Sequence, residues 1–293
     1  MASRRLEGRV VDLGAAFFTA DLASPFGTVV RGWLDAGLAR PWTDTFSVSE
    51  PGHPLVSKSG PMRFAAPGGL RSLVVDLAEG LEIELEHGIT AVDDGTERGG
   101  VQRGEVESGS AAAETVVLAM PDPQARRLLA DDSPARGHLD DATAWAPTIA
   151  VALGWPTRRW DDDFEGAFIN GSPTLTFLAD DGRRRGDGAA VLVAHSSPEL
   201  AAAHLDDPDA AVAPIVEAVG ELLGIDEPPS WSYAHRWTFA RPRAPHAEPF
   251  LLVDGADGRT IGVCGDGWGG SSSVSAAWTS GDALGRAIAA RAR

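Results

Sequence analysis

Cys264-Gly-Asp-Gly-Trp-Gly-Gly-Ser-Ser-Ser-Val274, near the end of a 293-residue chain, is the stretch on which the reading of the fold turns. It follows an apolar run, 260–264, that reads as a strand, and opens a run, 274–291, that reads as a helix. Gly265, Gly267 and Gly270 satisfy G-x-G-x-x-G. A dinucleotide fingerprint of that form also needs a following strand and an acidic residue about 20 positions on. The residues left after Gly270 are helical in character and too few for a βαβ unit of about 30. The fingerprint fails, but the local physics survives. A glycine turn at a helix N-terminus presents N–H groups and a positive dipole end to an anion. Asp266 disfavours a phosphate by charge, yet accepts hydrogen bonds from the hydroxyls of a sugar or polyol. An oxyanion site beside a polyol site describes a flavin nucleotide; the alternative is a turn that only joins strand to helix.

Moving outward, residues 251–253 and 260–264 pair as a hairpin across an Asp-Gly turn, and 231–239 alternates as a strand. Upstream of these, 148–154, 166–169, 174–179 and 189–195 read as four strands separated by turn residues, which predicts a mostly antiparallel sheet. A helix begins at Ser197-Pro198-Glu199, and 211–223 is an amphipathic one. Arg183-Arg-Arg185 reads as a hairpin tip and Asp161-Asp-Asp163 as a solvated acidic turn. In the first half, 10–19 reads as a buried strand running into a glycine turn. Helices are expected over 26–38 and 70–81, with polar 43–59, carrying Pro51 and Pro54, between them as loop, an edge strand being the alternative within it. Strands at 82–85 and 88–92, a polar hairpin over 93–114, an apolar strand at 114–120 and a short helix at 124–129 follow.

Composition bounds the function. The formal net charge of −17 repels nucleic-acid phosphates and anionic lipid, so nucleic acid and acidic membranes are poor candidate partners. One cysteine, Cys264, excludes an intramolecular disulfide and any multi-thiolate metal site. No apolar run approaches the roughly 18 residues of a membrane span, and the first residues lack a signal-peptide stretch, so a cytoplasmic protein is expected. There is no G-x-S-x-G elbow, and the histidines fall at no H-x-x-x-H spacing, so no hydrolase nucleophile and no metal site is expected. The length points to two domains of about 150 residues each.

In combination these segments resemble the renalase-like branch of the flavin-dependent amine oxidase superfamily. Cys264–Gly270 with Val274-Ser-Ala-Ala-Trp-Thr-Ser-Gly281 is similar to that family's late Gly-Asp motif and terminal helix. His235-Arg-Trp-Thr-Phe-Ala-Arg-Pro242 resembles the strand entering its substrate cavity, and Val116-Val-Leu-Ala-Met-Pro121 the strand returning to its flavin domain. Pro67-Gly-Gly-Leu70 and Leu77-Ala-Glu-Gly80 resemble the helix before the adenine-side strand, which here includes Ile89. Asp12-Leu-Gly-Ala-Ala-Phe-Phe-Thr19 resembles the family's Asp-His-Gly-Ala-Gln-Tyr-Phe-Thr, with Leu13, Ala16 and Phe17 replacing three polar residues.

The resemblance implies an α/β FAD/NAD(P)-binding two-domain fold whose α+β substrate region carries the mostly antiparallel sheet. Residues 1–20, 66–130 and 255–293 would form the FAD-binding domain, and 21–65 and 131–254 the substrate domain. It implies FAD as cofactor, held by Ser3, Arg4, Ile89, Gly265, Asp266, Gly269, Gly270 and Val274, with Arg5 beside Arg4 near the phosphates or solvating the chain start. Trp237, His235, Phe18 and Asn170 would line the substrate cavity, while Arg236 points to the opposite face of its strand. Each has a plainer role open to it: Trp237 and Phe18 as core, Asn170 and His195 as hydrogen-bonded strand ends, Trp268 as filler of the turn. The implied reaction is oxidation of a small amine or a dihydronicotinamide-like compound by hydride transfer to the flavin, with no protein triad required. The family's opening strand, G-x-G-x-x-G and helix are not seen before Ser3, so a misplaced start or a truncation is expected. A chain so shortened would bind FAD poorly and be unstable. The alternative function is a non-catalytic remnant of the fold that serves as a binding module. A nicotinamide-dependent dehydrogenase would need an early, complete fingerprint.

Overall fold

The computed structural model describes the chain except residues 93–100, 104–109, 112, 256–258 and 293, and the side chains of 101–103, 110 and 111. It forms two compact units, 1–79 with 147–240, and 80–146 with 241–293. The chain opens with a tight hairpin, β1 (Ser3–Leu6) and β2 (Arg9–Asp12), turning on Glu7 and Gly8 at positive φ. Then come α1 (Pro25–Asp35), β3 (Arg40–Ser49), β4 (Val56–Ala65) and α2 (Leu70–Leu77). Next are β5 (Ile89–Val92), β6 (Val101–Arg103), β7 (Ser110–Ala111), β8 (Thr115–Leu118) and α3 (Asp122–Leu128). The middle of the chain holds β9 (Trp145–Gly154), β10 (Gly166–Ile169), β11 (Leu175–Asp180), α4 (Asp181–Arg185) and β12 (Val191–Ser196). After α5 (Pro198–Ala203), α6 (Val212–Leu223) and β13 (Trp231–Pro242), it ends in β14 (Leu251–Asp254), β15 (Thr260–Val263) and α7 (Val274–Arg291).

The first unit rests on a seven-stranded sheet in the order β13-β9-β12-β11-β10-β3-β4. β9–β12, β12–β11, β11–β10 and β3–β4 pair antiparallel, and β10–β3 pairs parallel. The mostly antiparallel sheet expected from the sequence is present. β9 shows why its sequence is apolar without a break from Ile149 to Gly154. Ile149, Val151 and Leu153 face the cluster completed by Ile215 and Val219 of α6, whereas Ala150 and Ala152 face Val11 and Leu13. A strand covered on both sides has period-two geometry without period-two polarity. Each fully buried branched side chain contributes about 1.5–3 kcal/mol. α1 is set by Ser24, whose Oγ accepts from Gly27 N at 3.0 Å, and by Pro25 at its first position.

The second unit contains the sheet β14-β15-β8, with β15 and β8 parallel and β14 and β15 antiparallel. Leu118, Ile261, Val263 and Trp268 pack with Val92 and Leu129 in its core. A second small sheet, β5-β6-β7, is antiparallel. Much of the hairpin expected over 93–114 lies outside the described residues.

Several expectations need correction. Residues 43–59 are largely strand: β3 and β4 form a long bulged hairpin, with Pro51 and Pro54 in its turn and Pro61 on the sheet-edge strand, where a missing N–H is tolerated. Residues 82–85 form no strand, and Ile83 and Leu85 are exposed. The first strand stops at Asp12, and α2 stops at Leu77. Arg183–Arg185 is the last turn of α4, with Arg184 only 1% exposed. The units group residues by packing, with 1–20 and 66–79 beside the large sheet, whereas the division expected from the resemblance is by ligand. Among the described residues, no helix is long and apolar enough to cross a membrane.

Candidate functional site

In the second unit the glycine stretch runs from the end of β15 to α7. Gly269 and Gly270 have φ of 85° and 76°, and a Cβ at Gly265, Gly269 or Gly270 would meet no atom within 4 Å. Their backbone is bare on that side, which is the geometry a close-lying ligand needs. The N–H groups are another matter. Gly265 N donates to Ser280 Oγ at 3.1 Å, Gly269 N to Glu248 O at 2.8 Å and Gly270 N to His246 O at 2.7 Å. The expectation that the turn itself offers free donors to an anion is corrected at these three glycines: Ser280 takes the Gly265 N–H, and the 246–248 segment those of Gly269 and Gly270. The first turn of α7, from Val274, adds helix N-terminal donors, one of which is met by Ser273 Oγ accepting from Ala276 N. Asp266 accepts from Ser272 Oγ at 3.0 Å, and burial pushes its carboxyl above the ordinary carboxylate range. A half-buried acceptor beside bare glycine backbone suits hydroxyl groups better than phosphate. Ile89, at the start of β5, is 37% exposed.

In the first unit Ser3 Oγ donates to the carboxylate of Asp12. Asp12 also accepts from Leu70 N at 3.1 Å, closing the N-terminus of α2, and lies 4.0 Å from the guanidinium groups of Arg184 and Arg185. Gly69 turns here at φ 90°, where a Cβ would press on Arg185, Ser3 and Asp12 at 3.0–3.1 Å. The Ser3 hydroxyl is thus committed to the protein interior. Arg5 donates to Gly8 O at 3.0 Å and closes the hairpin, and Arg4 is exposed.

His235 and Trp237 share one face of β13, ring centroids 4.7 Å apart and edge-on, while Arg236 is exposed. Burial lowers the His235 pKa, and the Arg4 charge adds to the effect. Trp237 Nε1 donates to Leu13 O at 2.8 Å, so both groups gather where the family-like 12–19 stretch begins. Phe18 is elsewhere: it is 2% exposed and packs among Phe26, Trp33 and Phe64, the core role. Asn170 is exposed and donates to Glu50 Oε1 at 2.7 Å. A cleft of about 530 Å³ lined by Trp155, Val216, Glu221 and Glu227 contains none of the expected site residues.

Sequence reasoning missed one cluster. His246 stacks on Trp268 at 4.0 Å and 19°, and its Nε2 bonds Asp122 Oδ2 at 2.6 Å with Asp140 3.6 Å away. Asp122 is fully buried at the start of α3. One ligand atom from each of Asp122, Asp140 and His246 falls within 4.8 Å of the others, a donor set that a divalent cation accepts. His246 and Asp122 are already in direct hydrogen-bond contact, so the cluster reads as a brace for the glycine stretch. Its partners are 124 residues apart, and neither sits in a motif that announces the other.

Comparison with known proteins adds a family. Residues 50–281 match the family model of the flavin-containing amine oxidoreductases. Among solved structures, a protein that carries the name protoporphyrinogen oxidase, from Exiguobacterium sp. 255-15, has TM-score 0.54 and 18% identity over 76% of this chain and 52% of that one. Putrescine oxidase bound to putrescine has TM-score 0.55 and 14% identity over 80% of this chain and 75% of that one. At such identities the likeness is one of fold, and this chain spans about half the length of the first of these proteins.

Proposed function

This chain belongs to the flavin-containing amine oxidoreductase family, whose cofactor is FAD, and we propose that it acts there as a renalase-like oxidoreductase on a small amine or dihydronicotinamide-like compound. When bound, the flavin supplies the hydride acceptor, and the protein's part is to bind, orient and exclude water. The observation that carries the reading is Asp266: a half-buried carboxylate with a raised pKa, set beside exposed glycine backbone at the approach to α7. A buried carboxylate with one side-chain donor, Ser272, is costly to retain unless further donors complete it, and the hydroxyls of a ribityl chain are such donors. The first turn of α7 would lay its dipole toward negative charge on the ring. His235 and Trp237 form an aromatic wall with one polar edge, suited to a flat substrate.

The test is flavin retention by the purified full-length protein. Wild type is expected to purify yellow, Asp266→Ala to lose most of its flavin, and Trp237→Ala to keep flavin while its substrate KM rises. Colourless wild-type protein that takes up no added FAD sinks the proposal.

A further inference from the structure

Arg63, in β4, is 7% exposed and lies over aromatic rings rather than against an acid. Its guanidinium carbon is 4.1 Å from the centroid of Phe46, 5.5 Å from Phe17 and 5.9 Å from Phe168. Phe177 and Trp42 complete the box, with ring centroids 5.7 and 5.1 Å from Phe46. Three rings, from β3, β10 and the segment after β2, thus lie within 6 Å of one cation, with Phe177 of β11 and Trp42 packed against Phe46 beside them. The hydrogen bonding of that cation is poor. Nε has no partner, and Nη1 reaches only Pro61 O at 3.5 Å. Asp44 attracts it from a distance, and burial lowers its pKa. Contact with ring faces offsets part of the cost of burying a guanidinium, but not its unfilled donors. Elsewhere in the same unit Arg9, Arg158 and Arg184 all meet carboxylates directly, so the fold can pair a buried arginine and does not do so at Arg63.

We propose that Arg63 and its aromatic box form a binding site for a planar carboxylate carried on an aromatic or flat apolar body. The planar fork of the guanidinium matches a carboxylate bidentately, and the rings supply a dry wall for the attached body. Phe168, 36% exposed, marks the open side. The site lies within one unit and does not depend on the flavin reading.

The probe is benzoate, followed by calorimetry and by tryptophan fluorescence, with Trp42→Phe identifying the reporter. Saturable binding is expected, weakened at least tenfold in Arg63→Met and several-fold in Arg63→Lys, which keeps charge without the fork. Benzylamine, of equal size and opposite charge, is expected not to bind. If Arg63→Met does not fold, Phe168→Ala on the exposed wall serves in its place, with the same tenfold loss expected. No benzoate binding, unchanged affinity in these variants, or binding of benzylamine instead would each overturn the proposal. None of the variants touches the glycine stretch, so flavin content reports on the proposed function and benzoate affinity on this site.

Discussion

Asp266 sets function against stability within a single side chain. Burial raises its pKa, so the native state holds this proton more tightly than the unfolded chain does. Between the ordinary carboxylate value of about 3.9 and the raised one, the native state binds more protons. Stability therefore falls as pH rises through that window and is level above it. Asp266→Asn keeps an acceptor for Ser272 and removes the charge. We expect it to be more stable than wild type at neutral pH, to lose that part of the pH slope, and to hold flavin less well. Thermal midpoints of both proteins across the acid range decide it. Asp180 is also raised by burial, so the difference between the two curves, rather than either curve, isolates Asp266. A difference that stays flat with pH would show that this carboxylate is not strained. Legibility at this scale was uneven. Asp266 stood out because a carboxylate inside a glycine turn is chemically conspicuous. Arg184 did not, since three arginines before a glycine look solvated, and its buried partners Ala16 O and Asp181 become visible only when the chain is folded.

Elements were legible where one stretch of sequence contains its own reasons. α6 and α7 carry their apolar spacing, and α7 its Ser273 cap, within the segment itself. β3 and β4 were legible only as a loop with one edge strand, because proline signals loop locally, whereas an edge strand and a turn tolerate it. The 82–85 stretch shows the opposite error: it alternates, but no strand lies beside it to use the alternation. The glycine stretch belongs with these, since its shape is held from outside by the 246–248 segment and by α3. His246→Ala removes the stack on Trp268 and one of the hydrogen bonds to buried Asp122, which keeps that from Asp140 N. The expected cost is about 2 kcal/mol, that of a buried carboxylate losing one partner together with the lost ring contact. Asp122→Asn, which keeps a hydrogen bond to the ring, is expected to cost about 1 kcal/mol. Urea midpoints at unchanged slope measure both. Equal losses in the two variants would mean that charge contributes nothing to the brace.

For the molecule as a whole, packing divides the chain into two units whose bounds differ from the division by ligand that the resemblance implies. They differ because β1, β2 and α2 join the large sheet's unit through the Asp12, Arg184 and Arg185 cluster. Such ties run between residues up to 175 positions apart and leave no periodic trace. The net charge of −17 has its own consequence for stability, because two effects of salt compete. Screening relieves the self-repulsion of the folded chain, and it also weakens exposed ion pairs such as Arg159–Glu227, Arg286–Asp282 and Arg291–Asp254. Each exposed pair is worth about 0–1 kcal/mol. The buried pairs Arg9–Asp181 and Arg184–Asp181 are poorly reached by ions. With 42 acidic residues against 25 basic ones, repulsion wins. The urea midpoint is expected to rise as added sodium chloride takes the screening length from about 30 Å to about 8 Å. A midpoint that falls over that range would place the exposed pairs, rather than the net charge, in control of stability.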